Sequence, residues 1–181
     1  TVTVVDNCGS SVLTAGSFTG SLLWSNGATT PDITVTAGGT YTVTQTINGC
    51  TGSTAGSGVA APKVIPSAPA VEVINNCGNS ILTATGFTGT LLWNTGETTS
   101  SIIINIEGTY TVTQTVNGCS SGAGSAVATP KAIPLAPSVS VVDDCGNSTL
   151  TAGSFTGYLS WNNAATTTSI TVNQAATYTV T

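Results

Sequence analysis

The sequence predicts an all-β chain made of tandem antiparallel β-sandwiches, and three observations predict it. First, the chain repeats itself. Residues 1–69, 70–137 and 138–181 are three copies of one unit, and the first two agree at 30 of their first 50 positions. Second, apolar residues recur at every other position over short runs, the period of a strand with one buried face. Third, Gly-, Asn- and Ser-rich breaks separate those runs at roughly the 8–12-residue spacing of a small sandwich, with no helical period between them.

Each element follows from its own residues. Leu13, Leu82 and Leu150 hold one position in the three copies and read inward, while that before it varies through Val12, Ile81 and Thr149. Leu22 and Trp24 share a face two residues apart, so Leu23, Leu92 and Ser160 read outward. Ser25-Asn26-Gly27 breaks the chain before Ile33 and Val35, which alternate with Thr34 and Thr36. After Ala37-Gly38-Gly39, the threonines at 40, 42, 44 and 46 take one face of a long strand. Tyr41, Val43 and Ile47 take the other, and the strand ends at the turn pair Asn48-Gly49. Trp24, Trp93 and Trp161 stand at position 24 of their copies and Tyr41, Tyr110 and Tyr178 at position 41. The indoles are expected in the core near Ile33, Tyr41 and Val43 and their counterparts. Each tyrosine suits a corner in which its hydroxyl bonds to backbone upstream.

Proline marks the boundaries. Pro62, Pro66 and Pro69 close the first copy and Pro130, Pro134 and Pro137 the second, with Lys63 and Lys131 beside the first proline each time. Such a segment is an extended, semi-rigid spacer, a final edge strand, or one running into the other. The third copy stops after 44 residues, so the sequence reads as a window on a longer array.

Composition excludes several functions. Two lysines against seven acids, a formal net charge of -5, cannot supply the basic surface that nucleic acid requires. Without histidine there is no His-based triad or His-ligated metal site. No apolar run approaches the ~18 residues of a membrane span. No acid recurs at one position in all three copies. Glu97 aligns with Ala28 and Ala165, Glu107 with Gly38 and Ala175, and Asp32 with Ser101 and Ser169, so paired-carboxylate catalysis has no repeated basis. The 36 threonines and 20 serines supply surface hydroxyls, not nucleophiles with a base beside them. No enzyme activity, cofactor or metal is expected. The cluster at Asp6-Asn7, Asn75-Asn76 and Asp143-Asp144 reads as an Asx-capped turn, with a weak cation site the alternative.

The cysteines fit the repeat. Cys8, Cys77 and Cys145 take position 8, and Cys50 and Cys119 position 50. The spacing predicts one disulfide within each complete copy, Cys8–Cys50 and Cys77–Cys119, with the partner of Cys145 six residues past the end of the sequence. A copy of this size buries only ~60% of its unfolded surface, so a staple is physically useful and implies an oxidising setting. Both cysteines of a copy are expected near one end of the sandwich.

The string Leu-Leu-Trp-Ser-Asn-Gly-Ala-Thr-Thr at 22–30, then Ile-Thr-Val-Thr and Gly-Thr-Tyr-Thr-Val-Thr, resembles the immunoglobulin-like repeats of giant Bacteroidetes surface proteins. Within that group the repeats resemble those of the SprB-like gliding-motility adhesins. The third copy departs at Asn163-Ala164-Ala165 and Ala175-Ala176, where turn glycines are lost. The resemblance implies immunoglobulin-like sandwiches as beads on a string, type IX secretion and display at the cell surface. It also implies a part in adhesion or gliding as a stalk whose partners are neighbouring repeats. Surface polysaccharide and lateral self-association are further candidate partners. The alternative function is a carbohydrate- or matrix-binding module, with the tryptophans as a sugar platform.

Overall fold

The computed structural model describes residues 1–181 and contains strands and turns with no helix. It divides into two compact units, Thr1–Pro130 and Lys131–Thr181. The first unit holds all the strands of the first two copies, with one hydrophobic core for each.

The first copy has seven strands: β1 (Val2–Asn7), β2 (Ser10–Ala15), β3 (Ser21–Trp24), β4 (Asp32–Val35), β5 (Gly39–Ile47), β6 (Cys50–Thr51) and β7 (Gly56–Ala60). One sheet has the order β1-β2-β4. The other has β3-β5-β6, with β7 also on β5. The second copy repeats this with β8 (Ala70–Asn75), β9 (Ser80–Thr85), β10 (Thr90–Trp93), β11 (Ser101–Ile104), β12 (Gly108–Val116), β13 (Cys119–Ser120) and β14 (Gly124–Ala128). All strand pairs are antiparallel, and the chain changes sheet at each step from β2 to β3, from β3 to β4 and from β4 to β5. The second unit carries β15 (Ser138–Asp144), β16 (Asn147–Gly153) and β17 (Ser169–Val172) as one sheet, with a bridge from Trp161 to Val180 opposite.

Burial follows the two-residue period. Leu22, Trp24, Ile33 and Val35 are buried, whereas Leu23 between them is 54% exposed. Trp24, Trp93 and Trp161 are only 1–2% exposed. Each indole Nε1–H donates to the carbonyl of Thr30, Thr99 or Thr167 at 2.8, 2.9 and 2.8 Å. The same threonine donates its own hydroxyl to the carbonyl two residues on. The Trp-to-Thr-Thr string is therefore a loop that satisfies a buried indole, since an unpaired polar group in a core is costly. Tyr41, Tyr110 and Tyr178 donate to the carbonyls of Ala37, Ile106 and Gln174, four residues upstream. Ile47 lies on the apolar face of β5 but past the end of the core, and it is 41% exposed.

Two turns show why residue identity matters. Asn48-Gly49 and Asn117-Gly118 both have positive φ, the backbone of a tight hairpin between β5 and β6 and between β12 and β13. Gly27 and Gly96 also have positive φ after the tryptophan, and Ala164 takes the same place in the third copy at φ 67°. Its backbone keeps the same hydrogen bonds, Ala164 N–H to Trp161 O and Trp161 N–H to Ala165 O.

Candidate functional site

The feature of this molecule that no single copy contains is the junction between the first two. It is built from the two ends of the sandwich. β1 and β7 run side by side, and just beyond their ends Cys8 and Lys63 form a parallel bridge. Lys63 N–H donates to Asn7 O at 2.9 Å and Gly9 N–H to Lys63 O at 2.8 Å. Cys8 thus sits where the chain leaves the sandwich. β5 runs antiparallel to β7, with Gly39 opposite Ala60 and Val43 opposite Gly56. Its far end, with the Asn48-Gly49 turn and Cys50, is therefore at the opposite, front end.

This geometry corrects the expected disulfides. Cys8 and Cys50 are separated by most of the length of a nine-residue strand, about 25–30 Å at ~3.3 Å per residue. A disulfide needs Cα atoms within about 7 Å. Cys77 and Cys119 occupy the same two ends of the second copy. The bond that forms is Cys8–Cys119, with a Cα–Cα distance of 5.5 Å. It joins the exit end of the first copy to the front end of the second. Cys50, Cys77 and Cys145 are free and exposed.

The linker is held from both sides. On the first copy, Asp6 Oδ1 accepts from Ser11 Oγ at 2.5 Å and from Ala61 N–H at 3.0 Å. The Ser11 hydroxyl and then the Ala61 amide, with Lys63 nearby, hold the Asp6 carboxyl below the usual carboxylate range, against a smaller desolvation effect. Asn75 does the same work in the second copy, accepting from Ser80 Oγ and Thr129 N–H. Asp143 accepts from Ser148 Oγ in the third. The position-6 side chain is thus a strap. No group of three or more His, Cys, Asp or Glu side chains that could hold a metal ion gathers anywhere in the chain.

On the second copy the holding residue is Gln114, only 2% exposed. Its Nε2 donates to Ser67 O at 2.7 Å, and its Oε1 accepts from Thr88 N–H at 2.9 Å and Gly89 N–H at 3.1 Å. Gly89 must be glycine here, because a Cβ would fall on the Thr115 carbonyl oxygen. Cys119 is fully buried beside it. An open groove of about 420 Å³ runs along the junction, lined by Lys63, Val64, Pro66, Gly86, Gln114 and Val116 among others. It contains no acid, and Lys63 is its one charge. Sequence reading passed over Gln114, yet a signal existed: Gln114 interrupts the apolar face set by Tyr110, Val112 and Val116.

No family model matches the chain, and no curated protein matches it. Among solved structures, a marsupial T cell receptor is similar at 14% identity and a TM-score of 0.39, over 92% of this chain and 85% of that one. Murine CEACAM1b is similar at 12% identity and a TM-score of 0.32, over 74% and 100%. Titin domains A168–A170 are similar at 13% identity and a TM-score of 0.26, over 99% and 88%. At such low identities and TM-scores these likenesses say nothing of what the chain does. The assignment rests on the three-plus-four strand order of each complete copy. The fold is immunoglobulin-like. It is a fold used by structural and binding modules alike.

Proposed function

We propose that this chain is a non-catalytic spacer of an extracellular, cell-surface protein, an adhesin or filament whose repeats set reach. The observation that carries the reading is the stapled junction between the first two copies. Bending there is opposed by a covalent bond, by the Gln114–Ser67 hydrogen bond and by the Lys63 backbone pairing at once. A force that enters at Thr1 meets Cys8 after one strand and passes through the bridge to Cys119. Residues 9–118 then lie off the covalent path of tension, which suits a protein pulled by cell movement or flow. A disulfide supports an oxidising, extracellular setting. The resemblance to SprB-like adhesins supports secretion by the type IX route and a part in gliding. The partners of this reading are further repeats of the same kind.

The buried tryptophans leave the carbohydrate-binding alternative without its platform. The test is a glycan and matrix-protein array probed with the oxidised 181-residue chain. The spacer reading expects no specific binding. Micromolar binding to one glycan, lost in a variant of an exposed aromatic such as Tyr158→Ala, would replace it with the binding-module reading.

A further inference from the structure

The front end of the second copy is occupied, and the front end of the first copy is built from the same residues. In the second copy the occupied face comprises Thr88, Gly89, Gln114, Val116, Asn117, Gly118 and Cys119. The matching residues of the first are Thr19, Gly20, Gln45, Ile47, Asn48, Gly49 and Cys50, identical but for the Ile–Val exchange. The backbones match as well: Asn48 and Asn117 have φ 50° and 51°, and Gly49 and Gly118 have 82° and 79°. A Cβ at either Gly20 or Gly89 would fall on the neighbouring carbonyl oxygen. The two faces differ in cover. Gln114 and Cys119 are buried, whereas Gln45 and Cys50 are exposed. Gln45 Oε1 reaches only Thr19 N–H, at 3.3 Å, and its Nε2 lacks the linker carbonyl that Gln114 grips.

We infer that the front face of the first copy is a docking site for the exit end of another copy of this repeat. The incoming copy presents its position-8 cysteine to Cys50 and its proline linker to Gln45. The chemistry is specific: a peptide carbonyl for Gln45 Nε2 and a thiol 5–6 Å away, Cα to Cα, for Cys50. The bond forms by exchange with a small disulfide. One cysteine thiolate attacks oxidised glutathione and releases one reduced glutathione. The second cysteine thiolate then attacks the mixed disulfide and releases another, so two thiols are oxidised as one glutathione disulfide is reduced. The inference extends the spacer reading by naming the neighbour that each joint requires.

The test fuses residues 70–137 ahead of Thr1 of the full chain and equilibrates both proteins in a glutathione redox buffer. In the 181-residue chain, Cys50 is alkylated by a maleimide. In the fused chain, that labelling is lost, and a linked peptide joins Cys50 to the position-8 cysteine of the added copy. In a fused Cys50→Ser variant, the Gln45 side-chain amide protons exchange as slowly as those of Gln114, which reports docking without the bond. Unchanged labelling of Cys50 in the fused chain, or its bonding to Cys8, overturns the inference. Either result would leave the spacer reading standing, since that falls on ligand binding.

Discussion

The tryptophan core and the inter-copy junction obey different rules. The core closes within one copy: Trp24, Trp93 and Trp161 are buried alike and hydrogen-bond alike, whatever stands beside them. The junction closes only between copies. Gln114 and Cys119 are buried because a neighbour covers them, and the same residues at Gln45 and Cys50 are exposed. A repeated residue can thus serve its own fold or the joint to the next, and only the packing tells which.

The largest effect expected comes from breaking the core. Trp93→Ala removes a buried indole, its hydrogen bond to Thr99 and most of the centre of the second copy. A loss of about 3–5 kcal/mol is expected from urea unfolding, enough to unfold that copy while the first keeps its own core. Trp24→Ala should do the same to the first copy. Loss of both cores to either substitution would mean that the copies do not close independently.

The next effect sharpens the contrast between the two front ends. Gln114→Ala leaves the amides of Thr88 and Gly89 and the carbonyl of Ser67 without their partner. It should cost about 1–3 kcal/mol, whereas Gln45→Ala at the uncovered end should cost under ~0.5 kcal/mol. Equal costs in urea titrations would show that the side chain serves the local turn and not the joint.

Much of the core was legible because its signals are local. Leu13, Trp24, Ile33 and Val43 sit at strand spacing, and Asn48-Gly49 names its own turn. The cysteines were not legible in the same way. A separation that is identical in the two copies is equally compatible with a bond inside each copy and with a bond from one to the next. What decides is that β5 runs away from the Cys8 end, a fact of topology that spacing does not carry. From sequence, the Asx residues at position 6 look like turn caps. The structure adds a second partner, Ala61 N–H or Thr129 N–H, more than 50 residues away.

That strap gives a smaller prediction that separates the first copy from the second. Folding lowers the Asp6 pKa, so its contribution is present above the ordinary carboxylate range. It is lost as pH falls through the lowered value, because the unfolded chain takes up the proton more readily. Asn75 has no such proton to take up. Stability of the first copy should therefore fall below about pH 4 while the Asn75 strap holds, and Asp6→Asn should remove that difference. A first-copy acid transition unchanged by Asp6→Asn would contradict this assignment. The smallest effect is at Ala164, which holds a left-handed backbone that Gly27 and Gly96 adopt freely. Ala164→Gly should raise the stability of the second unit by up to about 1 kcal/mol in thermal unfolding, and destabilisation would contradict the strain.

The disulfide joins the first copy to the second and does not staple each one internally. Trypsin tests this directly, because Lys63 and Lys131 are the only basic residues. With free thiols blocked and the chain unfolded without reductant, cleavage yields residues 1–63, 64–131 and 132–181. The first fragment contains Cys8 and Cys50, the second Cys77 and Cys119, and the third Cys145. Fragments 1–63 and 64–131 should stay joined through Cys8 and Cys119 until reduced, each carrying one blocked thiol. Separate fragments, with no blocked thiol in 1–63 or 64–131, would show one bond inside each copy and contradict this pairing.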